Sequence, residues 1–236
     1  MRAFGLTGKA VPARVLCLGA HADDIEIGCG ATILELLAHH SIEIVWVVFS
    51  GDARREQEAR KSAKLFLAGA ARSQVIVHQL RDGFFPYGGG EAKELFEELK
   101  SHISPDLVFT HYRDDRHQDH RVISDLTWNT FRDHLILEYE IAKYDADLGS
   151  PNLFVPIGQT AAKKKLRFLR AAFASQHDRH WFTNDAFLAL MRLRGLECRA
   201  PGGYAEAFHS RKAIVDIAQS NGAGRSAARG AKRRGR

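Results

Sequence analysis

The strongest constraint on this chain is an alternation of short apolar runs with longer amphipathic ones, repeated three times before Thr110. Val15–Gly19, Ile42–Phe49, Val75–Leu80 and Leu107–Thr110 are rich in β-branched residues and end at Gly, Ser, Asp or His, so they predict strands. Between them, Cys29–Ala38, Arg55–Ala68 and Glu91–Ile103 place apolar residues at helical spacing. Strand–helix–strand units of this kind require right-handed crossovers and a mostly parallel sheet covered on both faces. The fold class is therefore α/β, Rossmann-like and three-layered. With 236 residues, one domain over 1–217 suffices, and it is large enough to bury its own core.

Past Asp133 the pattern is less regular. Leu135–Tyr144 alternates like a strand, and Asp145–Gly158, with two Gly and two Pro, reads as a loop. Thr160–Ser175 and Asn184–Leu193 have helical spacing, with Thr160 and Asn184 as expected N-caps, and Tyr204–Phe208 reads as a last strand.

Charge narrows the partners. The net charge of +6 resides in residues 218–236, which hold six Arg/Lys and no Asp or Glu, leaving 28 basic against 28 acidic residues in 1–217. That Gly/Ala/Arg-rich tail lacks the apolar content to order itself and is expected to be disordered. A nucleic-acid-binding protein using the tail is the reading from a different function class, weakened by a neutral body with no basic face. Three Cys without a CxxC argue against a disulfide scaffold, and no apolar run reaches the roughly 18–20 residues of a membrane span. The expectation is a cytoplasmic chain with a small-molecule partner, no membrane and no nucleic acid; a homo-oligomer stays open.

Open parallel sheets bind ligands beyond the carboxyl ends of their strands, and two polar clusters fall there. The first follows strand one: His21-Ala22-Asp23-Asp24-Ile25-Glu26, running into Gly28-Cys29-Gly30. The second follows the strand ending at Thr110 and includes His111, Asp115, and His117-Gln118-Asp119-His120. His and carboxylate at i, i+3 in the first, joined by one His of the second, make an open two-imidazole, one-carboxylate site. That set suits catalytic zinc and also Fe(II). Asp23 is either functional or a helix cap. Asp115 reads as the N-cap of the following helix and Glu26 as structural. His111 is a strand-end residue or a fourth ligand, and His177 with His180 is a weak second metal pair. Gly28-Cys29-Gly30 is no dinucleotide fingerprint, because Ile33 stands where GxGxxG needs its third glycine.

HxDD followed by ExGxG, and then HxDH, resembles the PIG-L (LmbE-like) family of zinc-dependent N-deacetylases. The family's first motif is A-H-P-D-D; Ala22 replaces the proline, which bears on loop stiffness and not on ligation. Arg192-Leu193-Arg194-Gly195 and Tyr204-Ala205-Glu206-Ala207-Phe208 extend the resemblance. It implies His21, Asp24 and His120 as metal ligands, Asp23 as general base, and His117 as the acid or electrophile. Asp119, two residues from His117, reads as an outer carboxylate that holds that imidazole protonated and oriented. The resemblance also implies that Arg55 and Asp82 bind sugar hydroxyls; from the residues alone each is equally a solvated helix residue or a turn former, and Tyr112, Arg113 and Glu206 are lesser candidates. The activity implied is removal of acetyl from an N-acetylglucosamine-type unit. The alternative within hydrolases is cleavage of another small amide conjugate.

Overall fold

The computed structural model describes residues 11–214. The domain boundary at 217 and the basic tail 218–236 lie outside the described residues. Seven strands form one sheet: β1 (Arg14–Gly19), β2 (Glu43–Ser50), β3 (Arg72–Leu80), β4 (Leu107–His111), β5 (Leu135–Tyr139), β6 (Leu153–Ile157) and β7 (Tyr204–His209). The helices are α1 (Asp24–His39), α2 (Ala53–Phe66), α3 (Gly89–His102), α4 (Gln118–Thr130), α5 (Gln159–Ala172) and α6 (Asn184–Cys198). Strand order is β3-β2-β1-β4-β5-β7-β6, parallel from β3 through β5, with β7 antiparallel to both neighbours.

Strand alternation divides the core in two. Val15 and Cys17 of β1, and Ile44, Trp46 and Val48 of β2, face the layer that includes α1, α2 and α5. Leu16 and Leu18, with Val45, Val47 and Phe49, face α3 and α4. Both sheet faces are thus covered, as the continuous apolar runs require.

The early elements match the sequence reading within a few residues, except that α1 begins at Asp24, five residues before the expected start. Its glycines sit inside the helix because neighbours leave no room for a side chain: a Cβ on Gly28 would lie 2.1 Å from the Tyr139 ring, and one on Gly30 2.7 Å from Phe66. Larger departures come after β5, which stops at Tyr139 instead of Tyr144. The expected loop 145–158 contains β6. Its Pro156 is tolerated because β6 is an edge strand, bonded only to β7. Helix α5 is entered from Gly158, leaving Thr160 inside it, and Thr183 caps α6 by accepting the Ala186 N–H (3.2 Å), one residue before the expected Asn184. Among the described residues no helix is long and apolar enough to cross a membrane.

Candidate active site

Strand order reverses between β1 and β4, and the loops leaving those two strands meet at the crevice so formed. The β1 loop is pinned from below. Ala20 donates its N–H to His111 Nε2 (2.9 Å) and accepts on its carbonyl from Ser50 N and Oγ (2.9 Å each). The His21 N–H then donates to Asp24 Oδ2 (2.6 Å), turning the chain into α1.

This arrangement brings His21, Asp24 and His120 together. His21 Nδ1 lies 3.2 Å from His120 Nε2 and 3.3 Å from Asp24 Oδ2, and His120 Nε2 is 3.5 Å from Asp24 Oδ1. A tetrahedral ion with bonds of about 2.0–2.1 Å spaces its ligands roughly 3.3 Å apart. The pairwise spacings are of that size, although the two imidazoles face different Asp24 oxygens. His117 clusters with His21 and His120, and His111 with Asp24 and His120.

The far nitrogens are held as metal-ligating imidazoles usually are. His120 Nδ1 pairs with Asp115 Oδ2 (2.8 Å), and His21 Nε2 with Asp119 Oδ2 (3.2 Å) and Asp82 Oδ1 (3.1 Å). Burial and neighbouring His111 push His120 down to about 3, so its ring is neutral at physiological pH. Burial alone would raise Asp24, but His120, His111 and His21 hold its carboxyl well below the usual range. A neutral imidazole and an ionised carboxylate are the states that a divalent ion needs. Burial opposes a charge on His21 too, yet Asp24, Asp119 and Asp82 raise it well above its ordinary value. Positive charge is favoured at this point.

Asp23 is 5% exposed and occupies the α1 N-cap position, but its side chain caps nothing. Oδ1 pairs with Arg55 (2.9 Å), and Oδ2 has no partner among the described residues. Burial raises its carboxyl, opposed by Arg55. His117, the N-cap of α4, sets its ring edge-on to His21 at 4.9 Å. Its Nδ1 accepts the Asp119 N–H (3.3 Å), which leaves Nε2 as the protonated nitrogen. Burial and the positive charge of His21 lower His117 below its ordinary value.

Several side chains sit differently from the sequence reading. The Asp119 carboxylate does not hold the His117 ring; it faces His21 and accepts the Gly83 (2.6 Å) and Phe85 (3.2 Å) amides, so His117 is not the protonated imidazole expected. Asp115 does not cap α4 and instead orients His120, with Lys143 2.9 Å away. Arg55 is occupied by Asp23, Glu58 (2.8 Å) and Ser175 (3.2 Å), and Asp82 by His21. His111 directs Nε2 at the Ala20 N–H and lies 3.3 Å from Asp24 Oδ2, stacks on His120 with centroids 3.9 Å apart, and clusters with Asp24 and His120 as a candidate ligand group. His177 bonds to the Arg170 carbonyl and His180 to Tyr144, and no candidate metal cluster among the described residues includes either. Tyr112, Arg113 and Glu206 do not line the cavity above the site.

That cavity measures about 750 Å³, with His21, Asp24, His117 and His120 in its wall. Lys143, Tyr144, Arg179 and Trp181 also line it, none of them singled out in the sequence.

Residues 16–131, which span β1 through α4 and both His/Asp clusters, match the family model described as PIG-L, GlcNAc-PI de-N-acetylase. The matched stretch is 116 of the chain's 236 residues. A relative from Escherichia coli (strain K12), named "Uncharacterized deacetylase YaiS", is 31% identical over 121 residues, covering 46% of this chain. The match spans 63% of that relative's length. Elements β1 through α4 and those that flank them also superpose on solved structures. N,N'-diacetylchitobiose deacetylase from Pyrococcus horikoshii matches with TM-score 0.65 at 22% identity, covering 84% of each chain. GalB, the 4-carboxy-2-hydroxymuconate hydratase of Pseudomonas putida KT2440, matches with TM-score 0.67 at 16% identity, covering 88% of this chain and all of that one. At these identities the superpositions establish the α/β fold shared by all three. Chemistry has to be argued from this chain's own site.

Proposed function

We propose that this protein is a zinc-dependent hydrolase that removes the acetyl group from an N-acetylated amino sugar, with Fe(II) the other ion its ligand set suits. The observation that carries the reading is the open face formed by His21, Asp24 and His120 beside a buried carboxylate oxygen, Asp23 Oδ2, with no partner among the described residues. The match to a family described as a de-N-acetylase and the relative named a deacetylase support the reaction class.

A divalent ion at this face supplies Lewis acidity and makes water a better acid. The residues do the rest. Asp23, fixed by Arg55 through Oδ1, takes a proton from the attacking water on Oδ2, as a general base with a raised carboxyl pKa can. The water oxygen bonds to the acetyl carbonyl carbon. His117 donates its Nε2–H to the oxygen that gains charge. When the C–N bond breaks, the proton on Asp23 passes to the departing nitrogen, giving acetic acid and a free amine, which share the remaining proton to leave as acetate and an ammonium group. Asp115 and Asp119 keep His120 and His21 turned toward the ion.

The cavity of about 750 Å³ falls in the roughly 300–1,000 Å³ range of small-molecule sites, and its Tyr144 and Trp181 offer ring faces for a sugar conjugate. The substrate proposed is an N-acetylglucosamine-type unit joined to a further group. The test is acetate release by the metal-loaded protein from a panel of N-acetyl sugars and conjugates, set against acetyl-lysine peptides and acyl-amino acids. Faster hydrolysis of the latter two overturns the sugar assignment, and no metal-dependent hydrolysis of any amide overturns the reaction.

A further inference from the structure

Helix α1 leaves the metal loop directly, with Asp23 at its N-cap position and Asp24 as its first residue. One turn further on, two side chains from the C-terminal half grip its backbone. Lys165 of α5 donates from Nζ to the Ile27 carbonyl (2.6 Å) and to Glu206 Oε1 (2.6 Å). Glu206 of β7 accepts the Ala31 N–H on Oε1 (3.0 Å) and the Thr32 N–H on Oε2 (2.6 Å). Lys165 is 2% and Glu206 4% exposed.

The Ile27 carbonyl and the Ala31 N–H are the two ends of one i→i+4 link of the helix, and the ion pair spans that link from outside. A helix interior satisfies these groups with its own ladder, so the helix does not need the pair for that purpose. Nor is a buried ion pair an effective stability device, since apolar replacements are often neutral or stabilising. What the pair does is locate α1. On another side, Gly28 lies against the Tyr139 ring, whose hydroxyl donates to the Leu18 carbonyl (2.7 Å) just before the metal loop. The first two turns of α1 are therefore held between β7 and α5 on one hand and β5 and β1 on the other.

We propose that Lys165 and Glu206 are positioning residues, which set where the first turn of α1 lies and so place Asp23 and Asp24 against His21 and His120. Its consequence for the ion rests on the metal reading above. Two readouts on the full chain separate them. In the metal-free protein, the double variant Lys165→Met/Glu206→Gln is expected to exchange its amides at residues 25–32 at least ~10-fold faster, with residues 33–39 and the sheet unchanged. Titrated with zinc against a chromophoric chelator, it is expected to bind about 10–100-fold more weakly, as when an outer partner of a ligand is lost. On the amide substrate, kcat should fall with KM unchanged.

Glu140→Gln is the control. Its partner Arg194 lies 2.5–2.8 Å away, and both line the small cavity that Lys165 and Glu206 also line. This control should match wild type in exchange at 25–32 and in zinc affinity. Unchanged exchange at 25–32 in the double variant, or equal acceleration in the control, overturns the proposal. If wild type binds no zinc, the metal reading fails while the exchange result still decides whether the pair holds α1. If the double variant does not fold, Glu206→Gln alone, which preserves volume, carries the same measurements.

Discussion

Two polar clusters touch helix α1, and they differ in what their atoms do rather than in how deeply they lie. Asp23 and Glu206 are about equally buried, at 5% and 4% exposure. Around Glu206, the contacts close on one another: both carboxylate oxygens accept, and Lys165 donates to a carbonyl and a carboxylate. At the helix start they do not close. Asp23 Oδ2 has no partner among the described residues, and His21, Asp24 and His120 face one another at 3.2–3.5 Å. Most buried polar groups satisfy one another, so an unpaired one such as Asp23 Oδ2 beside a ligand-rich cluster calls for an explanation. Burial alone does not tell the two clusters apart.

The sharpest way to break the contrast is His120→Ala. Two ligands cannot hold an open site tightly, so the variant should lose most of its metal after gel filtration, as read by elemental analysis. Stoichiometric metal in that variant would falsify the ligand assignment. Asp23→Asn comes next: metal content should stay at the wild-type level while turnover drops by ~10²–10⁴-fold, the range for a lost general base. Turnover within a few-fold of wild type would leave Asp23 with no role beyond its pairing with Arg55.

Asp115→Asn tests whether the open cluster depends on its closed surroundings, and zinc affinity should weaken by about 10–100-fold. The same variant has a pH signature. Burial works against the Asp115 carboxylate, but His120, His111 and Lys143 hold its pKa below the ordinary carboxylate value. A depressed acid contributes stability that is present above the ordinary value and lost as pH falls through the folded one. The variant's melting temperature should therefore decline less steeply than wild type in strong acid.

Gly28→Ala asks how firmly α1 is seated. The new Cβ would fall 2.1 Å from the Tyr139 ring, and overpacking of this kind costs about 1–3 kcal/mol in denaturant unfolding. No change would mean that α1 can shift. The smallest effect expected is at His209, which belongs to neither cluster. Burial and nearby Arg194 push it down to about 4. Its neutral form is favoured in the fold, so stability should fall as pH drops from about 6.5 toward 4, and His209→Asn should flatten that slope. An unchanged slope would show that the histidine is solvated.

The parallel half of the fold and the two His/Asp clusters were legible in the sequence because each strand carries a continuous apolar run and each cluster follows one. Partner choice was not legible. Asp115 and Asp119 are both near His117 in sequence, yet Asp115 turns to His120 and Asp119 crosses to His21, a residue 98 positions away. Sequence proximity favoured His117, and the packing of the β4 loop against the β1 loop decided otherwise. Glu206 was visible only through its motif, and that gave no hint that its carboxylate would bond to backbone in the middle of a helix. Strand β6 was hidden by Pro156 and the flanking glycines, signals of a loop that an edge strand also tolerates.

That proline bears on how the protein behaves at high concentration. A sheet edge is a row of free donors and acceptors that invites another chain to add a strand. Strand β6 is one such edge, and a proline in an edge strand turns its missing N–H toward the open side. A strand approaching from a second molecule would find no donor at Pro156. Only five residues long, β6 also offers little length over which to make up the loss. The irregular stretch that follows β5 thus ends the sheet in a form that resists sticking to its own copies.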